Sequence, residues 1–159
     1  MSNEGLIKLH VSLPNHWMVS GESMWAEPVG NDIYRLENVP FFCYGINFQD
    51  ELKALPDDDD ILEVSEVVKR SGNKTIRICF DKTIASKDSQ EPYLNVLRNL
   101  DCSLERWDET YLAINIRKTA DYNQVYEQLD EWCDKEILAF ETCHERVKGS
   151  FDDLLEESE

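Results

Sequence analysis

From Thr75 onward the hydrophobic repeat switches between a period of two and a period near 3.6, and this order limits the fold more than any other feature. Ile76, Ile78 and Phe80 alternate, as on the inner face of a strand. Tyr93, Val96, Leu97 and Leu100 recur at i, i+3, i+4, i+7, the spacing of one helix face, behind the cap candidates Ser86, Asp88 and Ser89. Cys102–Trp107 and Tyr111–Ile116 are β-type runs around the turn pair Asp108-Glu109. Asp121 followed by Gln124 reads as a capping box that opens a second helix, with Tyr122, Val125, Tyr126, Leu129, Trp132 and Cys133 as its apolar stripe. Residues 137–144 read as a closing strand. The order βαββαβ is that of a split βαβ, ferredoxin-like unit.

The first half reads differently. Ile7, Leu9, Val11 and Leu13 alternate with polar residues up to Pro14, with His10 on the exposed side and Trp17 tucked under the following loop. Residues 24–29 and 32–39 are β-prone runs around Gly30-Asn31, a pair suited to a tight hairpin turn. Trp25 is expected in the core between them, with a surface anchor for a partner as the alternative. Arg35 and Glu37 share the outer face, where a cross-strand ion pair would explain them. Pro40, Phe41 and Phe42 make a corner that plugs one end of the core, and Gly45 suggests a bend. Further strands are expected at 51–55 and 61–70, separated by Pro56 and the run Asp57–Asp60. The expected fold is α+β: an N-terminal antiparallel β subdomain over 1–72, a small barrel or curled sheet, joined to a ferredoxin-like half over 73–148. An acidic tail over 149–159 is expected to fray.

Several blocks resemble a bacterial family, domain of unknown function 4265. They are Trp25-Ala26-Glu27, the corner from Tyr34 to Phe42, Gly45, Asp50, Arg70-Ser71-Gly72-Asn73 with Thr75-Ile76-Arg77, and Ala120-Asp121-Tyr122. The resemblance spans residues 6–145. It implies a compact bacterial protein and supplies no catalytic residues to carry over. By analogy, small acidic bacterial proteins often serve as immunity partners of toxins.

Charge decides which partners are reasonable. Sixteen Lys and Arg face 33 Asp and Glu, a net charge of −17. Such a field repels nucleic-acid phosphate and anionic lipid and favours a basic protein. The five cysteines include no CxxC pair and read as reduced, buried thiols. No basic segment followed by an apolar run opens the sequence, and no apolar run reaches the length of a membrane span, so the expected location is the cytoplasm.

The sequence supplies little for catalysis. Cys143 and His144 are adjacent on a strand and point to opposite faces, so they cannot form a dyad with each other. No Cys/His spacing fits zinc, no Gly-rich phosphate loop is present, and no cofactor is expected. The acidic positions Asp57, Asp58, Asp59, Asp60, Glu63 and Glu66 are the candidate partner-binding residues, able to steer a basic protein. They would also suit the guarding of a sheet edge. The expected function is a non-catalytic binding protein, an acidic immunity protein that neutralises a basic toxin. A small-molecule sensor and an enzyme with an unfamiliar site are the alternatives.

Overall fold

The computed structural model describes residues 5–144 and 151–152. These divide into two compact units: 5–71 together with 143–144 and 151–152, and 72–142.

The first unit is a closed barrel of five strands, β1 (Ile7–Ser12), β2 (Gly21–Gly30), β3 (Ile33–Leu36), β4 (Glu51–Pro56) and β5 (Leu62–Lys69). Consecutive strands pair antiparallel. In an up-and-down meander with an odd number of strands, the first and last run the same way, so closure requires a parallel pair. It occurs at His10 opposite Glu63. Leu9, Val11, Met24, Ala26, Leu36, Leu52, Ala54 and Val64 are buried.

The narrow barrel explains two departures from the sequence reading. Trp25 alternates with buried Met24 and Ala26, so it points outward and is half-buried rather than part of the core. A five-stranded interior takes small and medium side chains, whereas eight strands leave an interior that side chains just fill. The β2–β3 turn is Asn31-Asp32, not Gly30-Asn31. A register shift between Pro28 and Gly30 moves it by one residue, and Asp32 takes the positive φ of 59°. Strand β3 also stops at Leu36, three residues before the expected Val39.

Residues 37–50 follow, and buried carboxylates organise them. Glu22, on β2, accepts the backbone N–H groups of Phe41 (2.7 Å), Phe42 (3.0 Å) and Cys43 (3.0 Å). Asp50, fully buried, accepts from the N–H of Asn47 (2.9 Å) and of Ser71 (2.8 Å). Arg70 donates to the carbonyl of Gly45, and Ser71 Oγ donates to that of Phe48 at 2.7 Å. Gly45 has φ of 81°, a region costly for residues with a Cβ. With its backbone thus satisfied, this irregular segment buries Val39, Phe42, Tyr44 and Ile46.

The expected fraying does not hold at Phe151 and Asp152. The carbonyl of Phe151 accepts the N–H of Tyr44 at 2.7 Å, and buried Asp152 accepts the N–H of Asn15 at 2.6 Å. The rest of the expected tail lies outside the described residues.

The second unit contains β6 (Lys74–Phe80), α1 (Lys87–Asn99), β7 (Cys102–Arg106), β8 (Tyr111–Ile116), α2 (Tyr122–Asp134) and β9 (Leu138–Thr142). The sheet is antiparallel with strand order β7-β8-β6-β9. Its core joins Ile76, Ile78, Phe80, Leu112, Ile114 and Ile116 from the sheet to Leu94 and Leu97 of α1 and Val125, Leu129 and Trp132 of α2. Asp121 caps α2 as expected, accepting the N–H of Gln124 at 3.2 Å.

The face of α1 is rotated from the sequence reading. Its buried residues are Gln90, Leu94 and Leu97, while Val96 is exposed. The unexpected member is Gln90. Its Nε2 donates to the carbonyls of Ile84 (2.8 Å) and Glu109 (2.7 Å), and its Oε1 accepts from Arg106 at 2.7 Å. A polar residue breaks the apolar repeat here because it ties α1 to the β7–β8 turn.

Removing Glu22 tests the carboxylate's role. Glu22→Ala removes the shared acceptor of three N–H groups, two of them buried, and an unsatisfied buried group costs about 1–3 kcal/mol. The expected loss of about 3 kcal/mol or more is read by urea unfolding. Glu22→Gln keeps one accepting oxygen and is expected to lose less.

Candidate protein-binding surface

The six acidic candidates do not form one patch. Asp57, Asp58, Asp59 and Asp60 cap the β4–β5 hairpin and are exposed. Asp57 is partly used by the turn itself: its Oδ1 accepts the N–H of Asp59 (2.8 Å) and of Ile61 (3.0 Å). Asp60 holds the positive φ of 60°. The hairpin thus presents its carboxylates on a hydrogen-bonded turn.

Glu63 is committed elsewhere. Its Oε1 lies 2.7 Å from His10 Nδ1, and its carboxylate also accepts the N–H of Ser12 (2.8 Å) and Ser12 Oγ (3.1 Å). His10 and Glu63 are the register pair that closes the barrel, so this carboxylate supplements the short ladder between β1 and β5. His10, expected to be exposed, is half-buried for the same reason. Its Nε2 would lie 2.5 Å from a Cβ at Gly21, so the ring occupies space that glycine leaves free. Glu66 is exposed further along β5, in register with Lys53, which offsets its charge.

Topology brings other residues to the acidic turn. The β2–β3 and β4–β5 hairpins open at the same end of the barrel, and the carbonyl of Asp32 accepts the N–H of Ala54 at 3.0 Å. The parallel register of His10 with Glu63 puts the start of β1 beside the start of β5. This rim therefore carries Asp32 and Asp57–Asp60 together with four exposed aliphatic side chains, Ile7 (37%), Val29 (41%), Leu55 (42%) and Ile61 (47%). Lys8 adds a positive charge beside Ile7. The sequence reading missed the aliphatic half. Leu55 and Ile61 read as strand ends flanking an acidic run, and their exposure became visible once the inner face was fixed by Leu52, Ala54 and Val64.

The edge-guarding role has no edge to serve along β4. Strand β4 is bonded to β3 on one side and β5 on the other, so the hairpin presents no free edge along β4 to protect.

Other candidates settle into the scaffold. Arg35 pairs with Glu27 across the hairpin and, through Nε, with Glu37 at 3.1 Å just beyond the end of its own strand. Trp17, expected beneath its loop, is 76% exposed at the end of β1 away from the acidic rim. Its ring stacks on His16, whose Nδ1 accepts the N–H groups of Met18 (3.1 Å) and Val19 (3.3 Å). Cys43, Cys102 and Cys143 are buried, but Cys79 and Cys133 are exposed, against expectation. Burial, with Asp101 adding to it, pushes the Cys102 thiol up to about 11. Among the described residues, no group of three or more His, Cys, Asp or Glu is placed to hold a metal ion, and no helix is long and apolar enough to cross a membrane.

The family model of a domain of unknown function (DUF4265) matches residues 22–140. The chain belongs to that family. No curated protein matches it. Among solved structures, a hypothetical protein from Neisseria gonorrhoeae is similar, with a TM-score of 0.72 and 18% identity over 87% of this chain and 95% of that one. This likeness concerns the fold.

Two outcomes test the geometry. A thiol reagent at pH 8 is expected to modify Cys79 and Cys133 rapidly in the native chain and Cys102 only on unfolding, as read by mass spectrometry of the labelled peptides. Gly21→Ala is expected to destabilise by about 1–3 kcal/mol through overpacking. Adding His10→Ala should recover part of that loss, seen as coupling in a double-mutant cycle.

Proposed function

We propose that this protein is a non-catalytic, acidic binding protein of the bacterial cytoplasm that captures a basic protein partner through the barrel rim. Its most concrete form is an immunity protein that covers a basic toxin. The observation that carries this reading is the coincidence, at one end of the barrel, of five exposed aspartates with Ile7, Val29, Leu55 and Ile61. Acidic groups alone would keep a chain soluble. Acidic groups interleaved with exposed aliphatic side chains suit a contact in which charge steers encounter and apolar burial holds the complex. The net charge of −17 extends the same field over the whole chain. The second unit, with strand order β7-β8-β6-β9 and its helices at the two crossovers, supports a ferredoxin-like reading of that half.

The test is binding kinetics with a partner that co-purifies stoichiometrically from the native cell. The association rate is expected to fall about tenfold or more as salt rises from 20 to 500 mM on this reading of steering. The triple change Asp58→Asn, Asp59→Asn, Asp60→Asn should lower that rate several-fold with little change in dissociation. Leu55→Ser with Ile61→Ser should do the reverse. An association rate indifferent to both salt and the triple change would remove the reading.

A further inference from the structure

The two helices of the second unit differ in where their charges lie. In α1 an acid, Asp88, lies in the first turn and a base, Arg98, in the last, as the helix dipole favours. In α2 the acid at the start is the N-cap Asp121; the first turn proper holds no acid and the last turn no base. Its four carboxylates are Glu127 near the middle and Asp130, Glu131 and Asp134 towards the C-terminal end, where partial negative charge already accumulates. The cation at its C-cap, Lys135, is held by Glu131 at 3.0 Å, and this pair is mostly exposed. Such a placement weakens the helix as a helix. A departure from a local rule is a place to look for a functional constraint.

The departure borders a groove. A cavity of about 380 Å³ lies between the helices, with Val96 and Leu100 of α1 on one side and Gln124, Glu127, Gln128 and Glu131 of α2 on the other. The α2 members recur at i, i+3, i+4, i+7 and form one continuous polar stripe. Val96 is 36% exposed, so an apolar strip faces a wall of carboxylates and carboxamides. We propose that this groove is a docking site for a basic amphipathic helix of a partner protein. The helix seats an aliphatic residue on Val96 and Leu100 and turns Lys or Arg side chains towards Glu127 and Glu131. Helix-in-groove recognition uses the same spacing on both partners. The site lies wholly within the second unit and does not depend on the barrel-rim reading. The charge argues for a basic partner rather than a second copy of this chain, because two chains of −17 repel.

The probe is a synthetic 14-residue amphipathic peptide carrying Leu at i, i+3, i+4, i+7 and Lys elsewhere, added to the full-length ¹⁵N-labelled chain. A Glu-bearing peptide with the same Leu face and spermidine serve as controls. The expected result is a set of amide shifts centred on Val96, Leu100, Gln124, Glu127, Gln128 and Glu131 with the Lys peptide alone, weakening as salt rises. The double change Glu127→Lys, Glu131→Lys is expected to weaken that binding at least tenfold, with far-UV circular dichroism checking that the fold is kept. Val96→Ser should weaken binding with the charges intact. Shifts centred on the barrel rim, equal binding by the Glu peptide, the same shifts from spermidine at equal concentration, or undiminished binding by the double variant would each overturn the proposal. Loss of the rim kinetics described above would leave this result unaffected, so the two readings fail separately.

Discussion

The three hydrogen bonds that Glu22 accepts from residues 41–43 are the constraint on which the first unit rests. Burying a carboxylate costs several kcal/mol even after relaxation. Charge-assisted bonds return roughly 1.5–3 kcal/mol each. The two nearly cancel, so Glu22 adds little net stability compared with an apolar residue of its size. What it supplies is direction. A segment without helix or sheet needs somewhere to put its N–H groups, and Glu22 gives Phe41, Phe42 and Cys43 one shared acceptor. Asp50 does the same at the other end of the segment. Between these anchors the chain can turn Phe42, Tyr44 and Ile46 inward without leaving buried backbone unsatisfied.

The blocks that mark the family are therefore the parts that hold the scaffold. Arg70 and Ser71 complete the Asp50 network, Asn73 accepts the N–H of Lys118 at 3.0 Å, and Asp121 caps α2. The surfaces proposed for binding, the barrel rim and the helix groove, are built of other residues. Val29, Asp32 and Gln124 lie within two residues of such a block. A scaffold with a fixed interior and variable loops and helix faces can serve different partners without refolding.

Much of the fold was legible because its signals were local. The alternation of Ile76, Ile78 and Phe80 and the Asp121–Gln124 cap needed no knowledge of distant chain. The failures came where a distant segment decided. Trp25 and Met24 are both plausible core residues, and barrel radius chose between them. Gln90 in the face of α1 answers carbonyls at Ile84 and Glu109 that no helical period reveals. Glu63 looked like a free surface acid because its partner is His10, 53 positions away. The candidate surface was half legible for a related reason: charge is visible in a sequence, whereas the exposure of Leu55 and Ile61 depends on which face of each strand turns inward.

The parallel closure ties three strand positions of this chain together. Glu63 has its role through His10, and His10 has its seat because Gly21 lacks a side chain. Three strand positions, on β1, β2 and β5, are thus one unit of inheritance. A side chain at the glycine would displace the imidazole, and the carboxylate would then keep only its bonds from Ser12. Covariation among these three positions, rather than conservation at any one of them, is the trace such a clasp leaves in descendants.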